Sequence, residues 1–238
     1  MHRCIIGGRD PGRRMGMHRH WLGPMKLDPL ERWFVNSPMR QAMQALVIRW
    51  FRAVMPLNPG TDILEIGCGA GAGARMLARR FNPRRLFLTD IDIRMVTRAR
   101  KRFPPGSPPP TWFCVGDAAR LPFGNETTHA VFGFGFLHHV PAWRDGLAEI
   151  YRVLKPGGVY YFEEYYPSLY QNFITRRLAV HPQHDRFAGC ELREEFTRVK
   201  LDLLCTFELK RFGILGVGLK SAVPHNLSQA AIIKVPLR

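Results

Sequence analysis

The sequence predicts an α/β protein built on a doubly wound parallel sheet. Three observations carry that expectation. From Thr61 onward, short β-rich runs alternate with helical stretches, the pattern of strand–helix–strand units. The first such run ends in a string of glycines, ILEIGCGAGAG at 63–73, and glycines placed after a stiff apolar run mark a tight turn or a close approach to bare backbone. Acids then stand at successive strand ends, the edge where sheets of this kind bind ligands.

The elements follow in chain order. Residues 1–24 are rich in Gly, Arg and His without periodicity, and are expected to form a disordered basic leader. Met17 and Met25 leave open whether all of it belongs to the native chain. Residues 25–58 read as an N-terminal helical cap. Asp28 can cap a first helix with Pro29 at its first position. Asn36-Ser37-Pro38 breaks the run, and Ser37 or Asn36 caps a second helix whose apolar face is expected at Met43, Leu46, Val47 and Phe51. The main domain is expected over 59–238. DILEI (62–66) leads to the helix AGARMLARRF, and RLFLTD (85–90) to IRMVTRARKRF. TWFCVGD (111–117) follows a proline-rich turn, and THAVFGFGF (128–136) leads to a helix around RDGLAEIYRVL. KPGG then turns the chain into VYYFEEYY (159–166). Residues 165–190 are expected to be an insertion over the substrate side. ELREEFTRVKLDLL reads as a helix, and TFELKRF and VGLKSAV as two closing strands of a hairpin.

Composition bounds the function. At 238 residues, 46% hydrophobic and 23% charged, the chain suits one α/β domain with a modest appendage. No apolar run reaches the roughly 18–20 residues of a membrane span, and the N-terminus lacks a signal-peptide core, so a cytoplasmic location is expected. Cys4, Cys68, Cys114, Cys190 and Cys205 are scattered, with no CxxC pair, so neither a metal site nor a disulfide framework is expected. The formal net charge is +16, carried by 28 arginines against 7 lysines. Such a charge can serve nucleic acid or an anionic membrane. The basic residues are spread out, however, and form no aromatic-interleaved stripe.

The candidate site is the strand edge. The turn Gly67-Cys68-Gly69-Ala70-Gly71 would let a ligand lie against backbone, and Gly67-x-Gly69-x-x-Ala72 fits even the dinucleotide fingerprint. Asp90 ends the second strand about 20 residues further on, where a carboxylate can take both hydroxyls of a ribose. Gly116-Asp117 ends the third strand and suits an adenine amine; an Asx-turn would use the same aspartate. Glu65 lies inside the first strand, where a carboxylate would repel a pyrophosphate but suit a cation. Ribose, adenine and positive charge without phosphate describe S-adenosylmethionine.

LEIGCGAGAGA, LTDIDIRMVTRA, GDAARLPF, THAVFGFGFLHHV and EIYRVLKPGGVYYFEE occur in that order. Together, over roughly residues 60–165, they resemble class I S-adenosylmethionine-dependent methyltransferases, in particular the small-molecule branch of the ubiquinone/menaquinone-biosynthesis type. The resemblance implies a seven-stranded Rossmann-like sheet with its last strand antiparallel, and a small-molecule acceptor methylated at O, N or C. It implies that Gly67, Cys68, Gly69 and Gly71 underlie the methionine moiety, with Glu65 orienting that loop or the amino group. Asp90 would hold the ribose and Ile91 the adenine face. Asp117 and Ala118 would flank the adenine amine. Gly133 and Phe134 would line the methionine end, and Leu137, His138 and His139 would open the substrate cavity. Where members often have an acid at the start of the fourth strand, this chain has His129. The end of that strand, GFGFLHH, lacks the acid or Asn-Pro-Pro motif with which nucleic-acid and amine methyltransferases grip a target nitrogen.

Several alternatives stay open. His139 can act as a general base, or it can pack or orient substrate while proximity does the work. Asp92 reads as a helix N-cap. One of Glu163 and Glu164 should face the site and the other a helix. His181, His184 and Asp185 are too few clues for a metal, and no metal is expected. A nucleic-acid methyltransferase, a non-catalytic cofactor-binding module and a nicotinamide dehydrogenase remain rival functions.

Overall fold

A computed structural model describes residues 37–170 and 186–222. The leader, the first helix of the cap, and His181, His184 and Asp185 lie outside the described residues. Seven strands form one sheet: β1 (Asp62–Ile66), β2 (Arg85–Asp90), β3 (Thr111–Val115), β4 (Thr128–Phe134), β5 (Leu154–Tyr165), β6 (Leu201–Leu209) and β7 (Gly213–Lys220). Their order is β3-β2-β1-β4-β5-β7-β6. Strands β1 to β5 run parallel, and β7 is antiparallel to both neighbours. Helices flank the sheet: α1 (Pro38–Val54) precedes β1, α2 (Ala72–Phe81) follows it, α3 (Ile93–Lys101) follows β2, and α4 (Trp143–Val153) follows β4, while β3 passes to β4 without a helix. A short α5 (Pro167–Tyr170) and α6 (Gly189–Arg198) precede β6.

The sheet is buried on both faces, so its central strands read as continuous apolar runs; all five residues of β1 are buried. On one face Phe51 of α1 packs on Phe132, Phe134 and Tyr161, with Phe132 and Tyr161 stacked at 4.4 Å. On the other, Trp143, Leu147 and Ile150 of α4 and Phe196 of α6 pack with Tyr160 and Phe162.

Three expectations are corrected. The helix expected over ELREEFTRVKLDLL ends at Arg198, because Lys200 adopts φ +63°, and Leu201 begins β6. Pairing of Leu201–Leu209 with β7, interrupted by a bulge between Leu203 and Cys205, prevails over helical propensity. KPGG lies within the span of β5 rather than before it. In α1, Ser37 is the cap, accepting from the Arg40 amide, but Met43 and Leu46 are 42% and 65% exposed. The buried stripe is Arg40, Gln44, Ile48 and Phe51. Its polar end lies over the ligand edge of the sheet, where charged side chains find partners.

At the opposite edge Asp62 is fully buried and takes paired hydrogen bonds from both Arg84 and Arg85, while its amide donates to His129 Nδ1 at 3.1 Å. The two guanidinium groups hold its carboxyl far below the ordinary range, overcoming burial. His129, the departure from the family pattern, therefore joins a pin at the start of β1 and β4, remote from the ligand edge.

Candidate active site

The glycine turn bends where side chains could not follow. Gly67, Gly69 and Gly71 all have positive φ, at +66°, +51° and +81°. A Cβ on Gly67 would lie 2.7 Å from Phe136 Cβ, so the turn is pressed against the end of β4 as well. Asp90 fixes the turn from the neighbouring strand. Its Oδ2 accepts from the Gly69 amide and its Oδ1 from the Asp92 amide, both at 2.9 Å. Burial raises its carboxyl above the usual range, and these amides pull it back in part. Asp92 caps α3 by accepting from the Arg94 amide, as expected. Ile91, 55% exposed, offers an open apolar face beside Asp90. At the end of β3, Asp117 Oδ1 accepts from the Ala119 amide at 2.9 Å, the Asx-turn geometry, with Ala118 buried beside it.

Glu65 decides what kind of ligand suits this edge. It is 2% exposed, and its Oε2 is buried with no hydrogen-bond partner. Burial, then the nearby Asp90 carboxylate, push its carboxyl well above the ordinary range. Glu65 Oε1 and Gln44 of α1 both crowd the space where Gly73 lacks a side chain. An orphaned buried carboxylate costs free energy unless a cation or donor completes it. The residues present therefore suit a cationic group beside Glu65. They do not fit a pyrophosphate.

Beyond β4 both glutamates are buried and they do different work. Glu164 Oε1 accepts from the Leu137 amide at 3.0 Å, and its Oε2 lies 2.8 Å from His138 Nδ1 and 3.3 Å from the His138 amide. It thereby anchors the 3-10 turn Leu137–His139. Burial, only partly offset by these amides, pushes its carboxyl up to about 8. Glu163 Oε2 accepts from Arg40 Nη2 at 2.7 Å and its Oε1 from the Tyr165 hydroxyl at 3.0 Å. So one glutamate meets a helix, as expected, while its neighbour meets the turn after β4. Of the paired histidines, His138 is buried against Glu164, and the half-exposed His139 packs on its ring at 4.2 Å.

The structure thus brings Glu65, Gly67, Cys68, Gly69, Gly71, Asp90 and Ile91 together on one edge, with Gly133, Phe134 and His139 at the adjoining end of β4. Arg40 and Gln44 were missed. Their stripe, 40-44-48-51, competes with the more apolar 43-46-47-51, and hydrophobicity alone selects the wrong one. A polar pair spaced by four at the start of a helix that precedes the glycine turn is the signal that could have found them.

The sheet order, the glycine turn at the end of β1 and the acid at the end of β2 decide the fold. The fold is that of the class I S-adenosylmethionine-dependent methyltransferases. Residues 63–158 match a family model described as a methyltransferase domain. A malonyl-[acyl-carrier protein] O-methyltransferase from Marinomonas sp. is 32% identical over 119 residues, covering 50% of this chain and 43% of its own. A phthiotriol/phenolphthiotriol dimycocerosates methyltransferase from Mycobacterium tuberculosis is 34% identical over 109 residues, covering 46% of this chain and 39% of its own. The chain thus spans about two-fifths of the length of these curated relatives. Among solved structures, a chain from the complex of the Haloferax volcanii Trm112 methyltransferase activator with its methyltransferase aligns with a TM-score of 0.68 at 21% identity, covering 82% of this chain and 97% of that one. Among the described residues no helix is long and apolar enough to cross a membrane.

Proposed function

We propose that this chain transfers a methyl group from S-adenosylmethionine to a small-molecule acceptor. The observation that carries the reading is the orphaned, buried Glu65 carboxylate beside a glycine turn held by Asp90. That pairing favours a cationic nucleoside over a dinucleotide. The bound donor would supply an activated methyl for in-line displacement. The chain's own residues would hold the ribose at Asp90, set the adenine against Ile91 and near Asp117, and present the methionine end to Gly133 and Phe134. The turn Leu137–His139, fixed by Glu164, then forms the wall beside the acceptor, with His139 as the candidate proton acceptor. The acceptor lies in the class of small or lipid-borne molecules named for the Marinomonas and mycobacterial relatives. A quinol of the ubiquinone/menaquinone type is the narrower reading that the motif set favours. Cap residues 25–58 and the 165–190 segment are the parts expected to shape its pocket.

Calorimetry tests the cofactor. S-adenosylmethionine and S-adenosylhomocysteine should bind and NADH should not; comparable NADH affinity would remove the reading. A methyl-donor assay over phenols, quinols, free fatty acids, amines and RNA then finds the acceptor.

The +16 charge motivates the nucleic-acid rival. RNA binding should be weak and should fall by orders of magnitude between ~50 and ~200 mM salt, because it rests on counterion release. It should fall further when residues 1–24, with Arg3, Arg9, Arg13, Arg14 and Arg19, are deleted. Cofactor affinity should survive that deletion. Tight, structure-dependent RNA binding without the leader, with methylation of that RNA, would overturn the small-molecule assignment.

A further inference from the structure

Charge is divided unequally between the two faces of the sheet. Helices α1, α2 and α3 pack on one face, through Ile48, Phe51, Leu77 and Ala99, and α4 and α6 pack on the other. None of α1, α2 and α3 contains an aspartate or a glutamate, and every basic residue on them except Arg40 is exposed. The Asp92 cap before α3 is already paired with Arg94. On the other face, Asp145 and Glu149 of α4 and Glu191, Glu194 and Glu195 of α6 offset the arginines beside them. A basic excess therefore sits on the α1 side alone.

The same side carries an apolar ridge. Met39, Met43 and Leu46 of α1 are exposed, and their spacing of four and three places them side by side, away from the buried stripe of Arg40, Gln44, Ile48 and Phe51. Half-buried Trp50 continues the line one turn further on. Exposed Arg49 and Arg52 belong to the same helix, and α2, packed alongside, adds Arg75 and Arg79. Beyond α1 the sheet itself stays open on this side, where Phe207 and Leu209 of β6 are exposed. Phe207 pairs with Leu215, whose side chain joins the cluster beneath α1. An exposed apolar ridge marks an interaction surface, and the basic side chains around it select an anionic partner.

We propose that this face, with α1 at its crest, binds an anionic lipid surface. Met39, Met43, Leu46 and Trp50 enter the boundary between headgroups and acyl chains, while the arginines of α1 and α2 stay at headgroup level on their long stems. A nucleic acid would satisfy the charges but leave the aliphatic ridge in water. Arg40 at Glu163 and Gln44 at Gly73 place the start of α1 over the ligand edge, so docking brings that edge close to the lipid. A lipid-borne acceptor then has a short path to the site. That consequence rests on the methyl-transfer reading above, whereas the surface itself needs only charge and exposure.

Cosedimentation of the full chain compares vesicles of phosphatidylcholine alone with vesicles that also contain phosphatidylglycerol, at ~0.15 M salt. Binding is expected to the anionic vesicles only. Met43→Ser with Leu46→Ser should weaken it about tenfold or more, because two side chains lose their apolar burial. Arg49→Gln with Arg79→Gln should weaken it about 25-fold, or about fivefold for each charge withdrawn from the surface. Both variants should melt close to the unaltered chain and keep their affinity for S-adenosylhomocysteine, since all four side chains are exposed. Absence of binding to anionic vesicles would overturn the proposal. So would binding that the serine pair leaves unchanged, which would assign it to basic charge alone, as on RNA or in the leader. A sharp drop in melting temperature for the serine pair with vesicle binding retained would mean that the chain covers its own ridge. A dimer that the serine pair dissociates, with no vesicle binding, would assign the ridge to a second copy; either result overturns the lipid surface. Vesicle binding without S-adenosylhomocysteine binding in the unaltered chain would instead remove the methyl-donor reading and leave the surface in place.

Discussion

Replacing Asp90 by alanine should weaken S-adenosylhomocysteine binding by ~2–3 kcal/mol, about 30- to 150-fold, through loss of charge-assisted hydrogen bonds to two ribose hydroxyls. The structure adds a second route to the same loss. Asp90 also accepts the amides of Gly69 and Asp92, so alanine releases the glycine turn on one side and the start of α3 on the other. Asn at 90 separates the two effects. Its carbonyl can keep one amide bond and one ribose bond but carries no charge, so an intermediate loss is expected. Folding should suffer less than binding. Cys68 still donates its amide to the Thr89 carbonyl, and Gly116 to the Asp90 carbonyl, which tie β1, β2 and β3 together without the side chain. Calorimetry of both variants provides the check. An unchanged dissociation constant for the alanine variant would remove the proposed ribose assignment, and with it the strongest single residue of the proposed cofactor site.

Legibility of the sequence followed the strength of its local signals. β1 and β2 were bounded to the residue, because apolar strands that end in Gly or Asp announce their own limits. The Asp92 cap and the Ser37 cap were equally readable, since short oxygen-bearing side chains before a helix have one use. What failed was any choice between two patterns of similar weight. Residues 199–204 suit a helix or a strand, and only tertiary pairing with β7 decides. In α1 two stripes of spacing three and four compete. The polar one is buried because Glu163 waits beneath it, a contact across 123 residues that no local window contains. The division of labour between Glu163 and Glu164 was likewise legible as alternation. Their partners, Arg40 and the Leu137–His139 turn, were not, because each pairing is made only when α1 and β4 meet the end of β5.

Glu164 should show the largest effect on stability, and one that depends on pH. Replacing it by alanine removes the acceptor of the Leu137 and His138 amides and the Glu164 partner of His138 Nδ1 at a fully buried position. A loss of ~3 kcal/mol is expected, two or three orphaned groups at roughly 1–3 kcal/mol each with partial relaxation. Glutamine should be far milder, since its carbonyl can accept an amide and its NH2 can donate to Nδ1. The charge distinguishes glutamate from glutamine. The unfolded carboxyl ionises near its ordinary value of 4.5, whereas in the fold it is raised to about 8 by burial, beside the Tyr160 and Tyr165 hydroxyls. Between those values the folded state keeps a proton that the unfolded state has released. Its contribution is therefore fully present below about pH 4.5, falls as pH rises, and is lost on passing about pH 8. Glu164→Gln has nothing to ionise and lacks this slope. Denaturant unfolding should find the two proteins close at pH 5 and the glutamine variant relatively more stable at pH 8.5, by ~1 kcal/mol or more, since a tenfold difference in proton affinity between the folded and unfolded chains is worth about 1.4 kcal/mol. Parallel stability profiles over that interval would mean that Glu164 is ionised throughout, held by a protonated His138. The turn that carries His139 would then be anchored by an ion pair instead of a neutral acid.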